Sequence, residues 1–96
     1  MTDQEFIAKC AAYMGIDKEL VWDDIYNPAN NGTQLNEIVE RMKIDVWFFY
    51  AKDDMYWKAS TYDEINCEDT NITDRTDRNT AIIDCIKGVL PETSNG

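Results

Sequence analysis

The sequence contains no histidine, and its three cysteines, Cys10, Cys67 and Cys85, are odd in number and widely spaced. Without histidine or close cysteine pairs, the usual zinc ligand sets cannot be assembled. A cysteine nucleophile would lack its customary base, and no serine stands in a nucleophile-type motif. Neither an enzyme nor a cofactor is therefore expected. Basic residues are also scarce: nine Lys and Arg against nineteen Asp and Glu give a formal net charge of −10. That weighs against direct binding to nucleic acid or to an anionic membrane, both of which need basic patches. It suits solubility, docking on a basic protein surface, or mimicry of nucleic acid. There is no signal-peptide pattern and no transmembrane apolar run. These absences predict a reduced, cytoplasmic chain, in which the sequon at Asn71-Ile72-Thr73 carries no meaning. No internal repeat or low-complexity tract is present.

What is present suffices for one small core. Ninety-six residues with a 44% hydrophobic share predict a single domain over 1–90 and a frayed tail over 91–96. A domain this small buries a modest fraction of its surface, so a homo-oligomer would be an inexpensive source of further burial.

The stretch Ile44 to Tyr62 organises the rest. Ile44, Val46, Phe48 and Tyr50 alternate with Asp45, Trp47, Phe49 and Ala51, the period of a strand. Lys52-Asp53-Asp54 is a polar break that can turn the chain. Met55, Trp57 and Ala59 then alternate with Tyr56, Lys58 and Ser60. The spacing predicts a β-hairpin. Its first strand is apolar on both faces, so each face should be covered.

Helices flank it. Thr2 and Glu5 have capping-box spacing, and Phe6, Ile7, Cys10, Ala11 and Met14 form a stripe at helical period that stops at Gly15. Leu20, Val21 and Ile25 make a short turn with Trp22 as an anchor, ended by Asn27-Pro28. Asn30, Asn31 or Thr33 can cap a helix carrying Leu35, Ile38, Val39 and Met42. Asp63 to Asp74 reads as a polar, mobile loop with at most a weak third strand around Ile72. Thr76 or Asp77 caps a last helix, whose buried stripe is Ile82, Cys85, Ile86 and Val89 and which Pro91 stops. The expected class is α+β: a small layered domain, helices packed on an antiparallel β-hairpin or short sheet, in the order α-α-β-β-α.

Three groups of side chains are candidates for function. Trp47, Phe49, Tyr56, Trp57 and Tyr62 could line a partner interface or serve as ordinary core. The acids Asp53, Asp54, Asp63, Glu64, Glu68 and Asp69 could extend that interface. They lack the spacing and glycine of a calcium loop, so solvated acids are the plain alternative and no metal site is expected. Arg75, Arg78 and Thr80 stand at the start of the last helix, where free N–H groups and guanidinium forks suit a phosphate or nucleotide. The plain alternative is that both arginines pair with nearby acids such as Asp74 and Asp77.

Asn27-Pro28, the polar linker, the helix ending Ile38-Val-Glu-Arg-Met42, the aromatic hairpin, and Thr80-Ala-Ile-Ile-Asp-Cys-Ile86 followed by Val89-Leu90 stand in an order that resembles the small phage and prophage proteins of the phage ABA sandwich domain type. The resemblance covers Val21 to Leu90. The family pattern has tryptophan before Asn-Pro, where this chain has Tyr26, and a more alanine-rich last helix. The resemblance implies a helix/sheet/helix layered fold and a phage or prophage origin, and it transfers no functional residue. It leads to the expectation of a non-enzymatic accessory protein that binds and inhibits a host defence protein through a basic surface, in the manner of an anti-CRISPR or other counter-defence factor. A nucleotide-sequestering protein using Arg75 and Arg78 is the alternative, and a structural or assembly subunit is a third.

Overall fold

A computed structural model describes residues 2–50 and 52–90. Residues 91–96, for which a frayed tail is expected, and Pro91 with them, lie outside the described residues. The element order is α1 (Asp3–Met14), α2 (Lys18–Trp22), α3 (Gly32–Met42), β1 (Asp45–Tyr50), β2 (Met55–Asp63), β3 (Glu68–Arg75) and α4 (Arg78–Val89). The α+β class holds. The α-α-β-β-α order gains a five-residue helix between its first two helices and a third strand before the last helix.

Local chemistry sets the helix ends. Thr2 Oγ1 accepts from the Glu5 backbone N–H at 3.2 Å, and Gly15 closes α1 in the left-handed region at φ 73°, where a Cβ is disfavoured. Asn31, rather than Asn30 or Thr33, caps α3 by accepting from the Gln34 N–H. Asp77, rather than Thr76, caps α4 by accepting from the Thr80 N–H. Gln34 also secures the linker, which the sequence did not disclose. Its Nε2 donates to the Ile25 carbonyl at 2.8 Å, and its Oε1 accepts from the Asn27 N–H at 2.6 Å. Pro28 is fully buried behind this clamp.

The sheet is antiparallel in the order β1-β2-β3. β1 and β2 pair without a break from Asp45↔Ser60 to Tyr50↔Met55. β3 corrects the expectation of a loop over 63–74: only 64–67 is turn. β3 has little apolar alternation to announce it, because seven of its eight residues are polar. It is held instead by pairing to β2 from Trp57↔Arg75 to Asp63↔Glu68, by Thr61 and Thr70 hydroxyls 2.9 Å apart, and by the Thr73 hydroxyl donating to the Ala81 carbonyl of α4 at 2.6 Å. The register shifts between Ala59 and Thr61, so Asn71 and Ile72 both stand opposite Ser60, a β-bulge. Asn71 takes φ 53° there, and its Nδ2 donates to Thr61 Oγ1. Its Oδ1 comes so near Gly88 of α4 that a Cβ there would meet it at 3.0 Å. Gly88, a weakness in the helix by propensity, is where the bulge and the helix approach.

One core joins Phe6, Cys10 and Ala11 of α1, Leu35 and Ile38 of α3, Ala81, Ile82, Cys85 and Ile86 of α4, and Ala59 of β2, with Val46 and Trp57 packed against it. These sheet residues share one face by strand parity. The described helices that build the core therefore do so from that face. The layering is helices on one sheet face, not the helix/sheet/helix arrangement that the family resemblance implies. Two further expectations change. Trp22 is 76% exposed rather than an anchor, and Val89 is 37% exposed rather than part of the buried stripe. Among the described residues no helix is long and apolar enough to cross a membrane.

Tyr26 is buried, yet its hydroxyl finds no hydrogen-bond partner among the described residues. Burial first, then the fields of Cys10 and Glu37, push its pKa up to about 12. A desolvated, unpartnered hydroxyl opposes folding. Tyr26→Phe is therefore expected to leave stability unchanged or raise it by about 1 kcal/mol. Urea denaturation checks this, and a clear loss of stability would reveal a partner for the hydroxyl.

Candidate functional site: the open face of the sheet

No described helix covers the opposite face of the sheet, although Ser60 at its centre is fully buried. By strand parity this face carries Asp45, Trp47 and Phe49 of β1, Tyr56, Lys58, Ser60 and Tyr62 of β2, and Asp69 and Asp74 of β3. The expectation that each hairpin face be covered is not met among the described residues. Trp47 and Phe49 are 37% and 41% exposed, and Tyr62 is more exposed still.

Cross-strand pairs order this surface. Phe49 stacks on Tyr56 with ring centres 4.9 Å apart and planes at 22°. Lys58, directly across from Trp47, places Nζ 5.9 Å from its ring centre and 3.9 Å from an Asp74 carboxylate oxygen. Such contacts hold aromatic planes at fixed angles to solvent. The exposed Lys58–Asp74 pair adds little stability. Trp57 does not belong to this surface. It lies on the helix side, across from Phe48 with ring centres 5.1 Å apart, and Arg78 sits over it at 6.0 Å. The five aromatics grouped by sequence are thus divided: Trp47, Phe49, Tyr56 and Tyr62 share the open face, and Trp57 joins the core.

The acids divide too. Asp53 and Asp54 are exposed at the β1–β2 turn, while Asp63, Glu64, Glu68 and Asp69 surround the β2–β3 turn. Met55 to Tyr62 of β2 lie between the two groups, so Asp54 and Asp63 are separated by roughly 30 Å of strand. Asp63 is structural. Its carboxylate accepts from the Asn66 side-chain amide at 2.7 Å and from the Ile65 and Asn66 backbone N–H groups. These bonds, the Asn66 amide foremost, hold its pKa below the usual carboxylate value. Glu64, Glu68 and Asp69 are exposed. Among the described residues no three His, Cys, Asp or Glu side chains converge on a metal position.

The start of α4 is filled by the protein's own groups. Asp77 accepts from both the N–H and the hydroxyl of Thr80, so a carboxylate already occupies the helix N-terminus where a phosphate would sit. Arg75 Nε donates to Asp84 at 2.8 Å and its Nη1 to the Asp74 carbonyl. Arg78 Nη2 donates to Asn36 Oδ1 at 3.3 Å. The partners are therefore Asp84 and Asn36, not the carboxylates of Asp74 and Asp77. Arg75, Arg78 and Thr80 lie near one another, but each is engaged.

The Thr80 N–H, then the Thr80 hydroxyl, hold Asp77 below its ordinary 3.8. The unfolded chain takes up this proton more readily, so the cap's contribution is complete above that value and is lost as pH falls through the folded pKa. Asp77→Asn preserves a capping oxygen without the titration. Its melting temperature is expected to fall less steeply than the parent's in acid below about pH 4. Identical acid limbs would remove Asp77 from the explanation.

Cysteine chemistry is muted as well. Burial pushes Cys10 up to about 12 and Cys85 up to about 11, which keeps both as thiols. Cys67 is exposed in the β2–β3 turn at φ 54°. Away from the sheet, α2 and the segment after it expose Leu20, Trp22 and Ile25. A groove of about 220 Å³ runs there beside Ala8, Ala11, Ile16 and Val21. Sequence reasoning did not foresee this second apolar surface.

No protein family model, curated protein or solved structure matches this chain.

Proposed function

We propose that this chain is a non-enzymatic phage accessory protein that docks on a basic surface of a host protein and blocks it, with a host defence factor as the target. The observation that carries the reading is the uncovered aromatic face of Trp47, Phe49, Tyr56 and Tyr62 on a protein of net charge −10. Exposed apolar patches rimmed by polar groups mark interaction surfaces. Aromatics enriched at such a patch supply large contact area. Acidic surroundings steer a basic partner toward it and repel nucleic acid and anionic membranes. The absence of histidine and the buried, protonated Cys10 and Cys85 support a binding role over a catalytic one. The phage setting, with the host cytoplasm as the place of action, follows from the family resemblance.

The test is a pull-down from host-cell lysate with tagged protein at low and moderate salt, read by mass spectrometry. Plaquing on defended and undefended hosts accompanies it. One stoichiometric partner weakened by salt, together with rescue of plaquing on the defended host, is the expected result. No partner at either salt and unchanged plaquing would overturn the proposal.

A further inference from the structure

The two edges of the sheet are built differently. β3 is guarded: it is bulged at Asn71 and Ile72 and carries Glu68, Asp69, Asp74 and Arg75. Bulges and charges are the devices that keep an edge from pairing with another chain. β1 has neither bulge nor proline. Its register with β2 is unbroken, and its one charge is its first residue, Asp45. Among the described residues its only strand partner is β2. Its far half is bare on both faces, because Phe48 and Tyr50 on the helix side are 47% and 72% exposed, beside Met55 at 61%. Unpaired N–H and C=O groups thus lie along an apolar ribbon that the helices do not reach.

The charge of the whole body selects what can pair there. Lys43 and Asp45 cancel at one end of β1, the Lys52-Asp53-Asp54 turn has a net acidic charge at the other, and the chain carries −10 overall. A second copy pairing antiparallel about Phe48 would join two bodies of charge −10, and high net charge keeps such chains apart. The same net charge favours an extended segment with apolar residues at alternate positions and Lys or Arg at its ends. We propose that the β1 edge takes up such a basic-ended segment of a partner protein as a fourth strand. Main-chain hydrogen bonds would hold it, and the exposed aromatics would receive its alternate side chains. This deepens the proposed docking on a basic host protein and rests on that reading for the partner's class.

The probe is the synthetic peptide Lys-Val-Thr-Val-Thr-Val-Lys. Two controls accompany it: one with glutamate at both ends, and one N-methylated at alternate residues so that it cannot donate along one side. Binding is followed by amide hydrogen exchange and chemical shifts of the intact protein. The lysine-ended peptide is expected to bind, to slow exchange at Asp45–Tyr50 while leaving β3 unchanged, and to weaken on the order of tenfold from low to high salt, as two exposed ion pairs allow. Both controls are expected to fail. Equal binding of the glutamate-ended peptide overturns the charge selection. Equal binding of both N-methylated and parent peptides overturns strand addition in favour of side-chain contact alone. Absence of any protection at β1, or a dimer by sedimentation whose β1 amides are already protected, overturns the proposal outright. If the peptide fails while the pull-down still returns a salt-sensitive partner, only this inference falls. If the peptide binds but no host partner is found, the host-inhibitor reading falls and the edge chemistry stands.

Discussion

Ile82→Ala is expected to lower the stability of the fold by about 2–5 kcal/mol, a large share of the ~5–15 kcal/mol that a domain of ordinary stability has. Ile82 is fully buried on α4, the helix that lies against both β2 and β3 and also meets α3. Structure on several sides limits how far neighbours can relax into the space left by its lost carbons, so a cavity remains. Few other large side chains share the load: Phe6, Leu35, Ile38 and Ile86 are the comparably buried ones. Urea denaturation followed by far-ultraviolet circular dichroism measures the loss. Ile83→Ala, at a half-buried neighbouring position, is expected to lose clearly less. A change at Ile82 below about 0.5 kcal/mol, the range of surface substitutions, would contradict the core described above.

Trp47→Ala is expected to act on binding rather than on folding. Trp47 faces away from the helices, and only its neighbour Val46 packs against the core. Its ring is steadied by Lys58 and leaves a substantial apolar surface to solvent. Tryptophans so placed carry a disproportionate share of interface energy, at least about 2 kcal/mol when truncated at a hot spot, or roughly 30-fold in affinity. Calorimetric titration of the host partner against the variant checks this, alongside its unfolding midpoint, which is expected to move little. Val46→Ala should show the reverse, with lowered stability and nearly unchanged affinity. Unaltered affinity in Trp47→Ala would move the interface off the open face, and the Leu20, Trp22 and Ile25 surface would be the next place to look.

The contrast between Val46 and Trp47 also marks where sequence reasoning succeeds. Alternation along Ile44 to Ser60 was enough to place the hairpin and to sort its residues into two faces, because strand parity is a local property of the backbone. It could not say which face the helices would cover, since both carry aromatics. That depended on α4 lying across β2 and β3, contacts between residues distant in the chain. For the same reason Trp57 and Trp47 read alike in sequence and part company in the structure. Arg75 likewise meets Asp84 across the strand–helix contact rather than the carboxylate of its chain neighbour Asp74.

By itself the sequence determined the helix cap at Thr2, the few residues among which the caps of α3 and α4 lie, the stop at Gly15, the amphipathic stripes, the hairpin, and a chemistry without histidine. Each of these rests on interactions within a few residues of chain or on composition alone. Only the tertiary structure decided that Glu68–Arg75 is a strand, that the helices occupy one face, that the acids form two groups at opposite ends of β2, and that β1 is the unguarded edge. Those features arise from pairing and packing between distant segments: a polar edge strand such as β3 is held by its neighbour's backbone and by α4, not by an apolar pattern of its own.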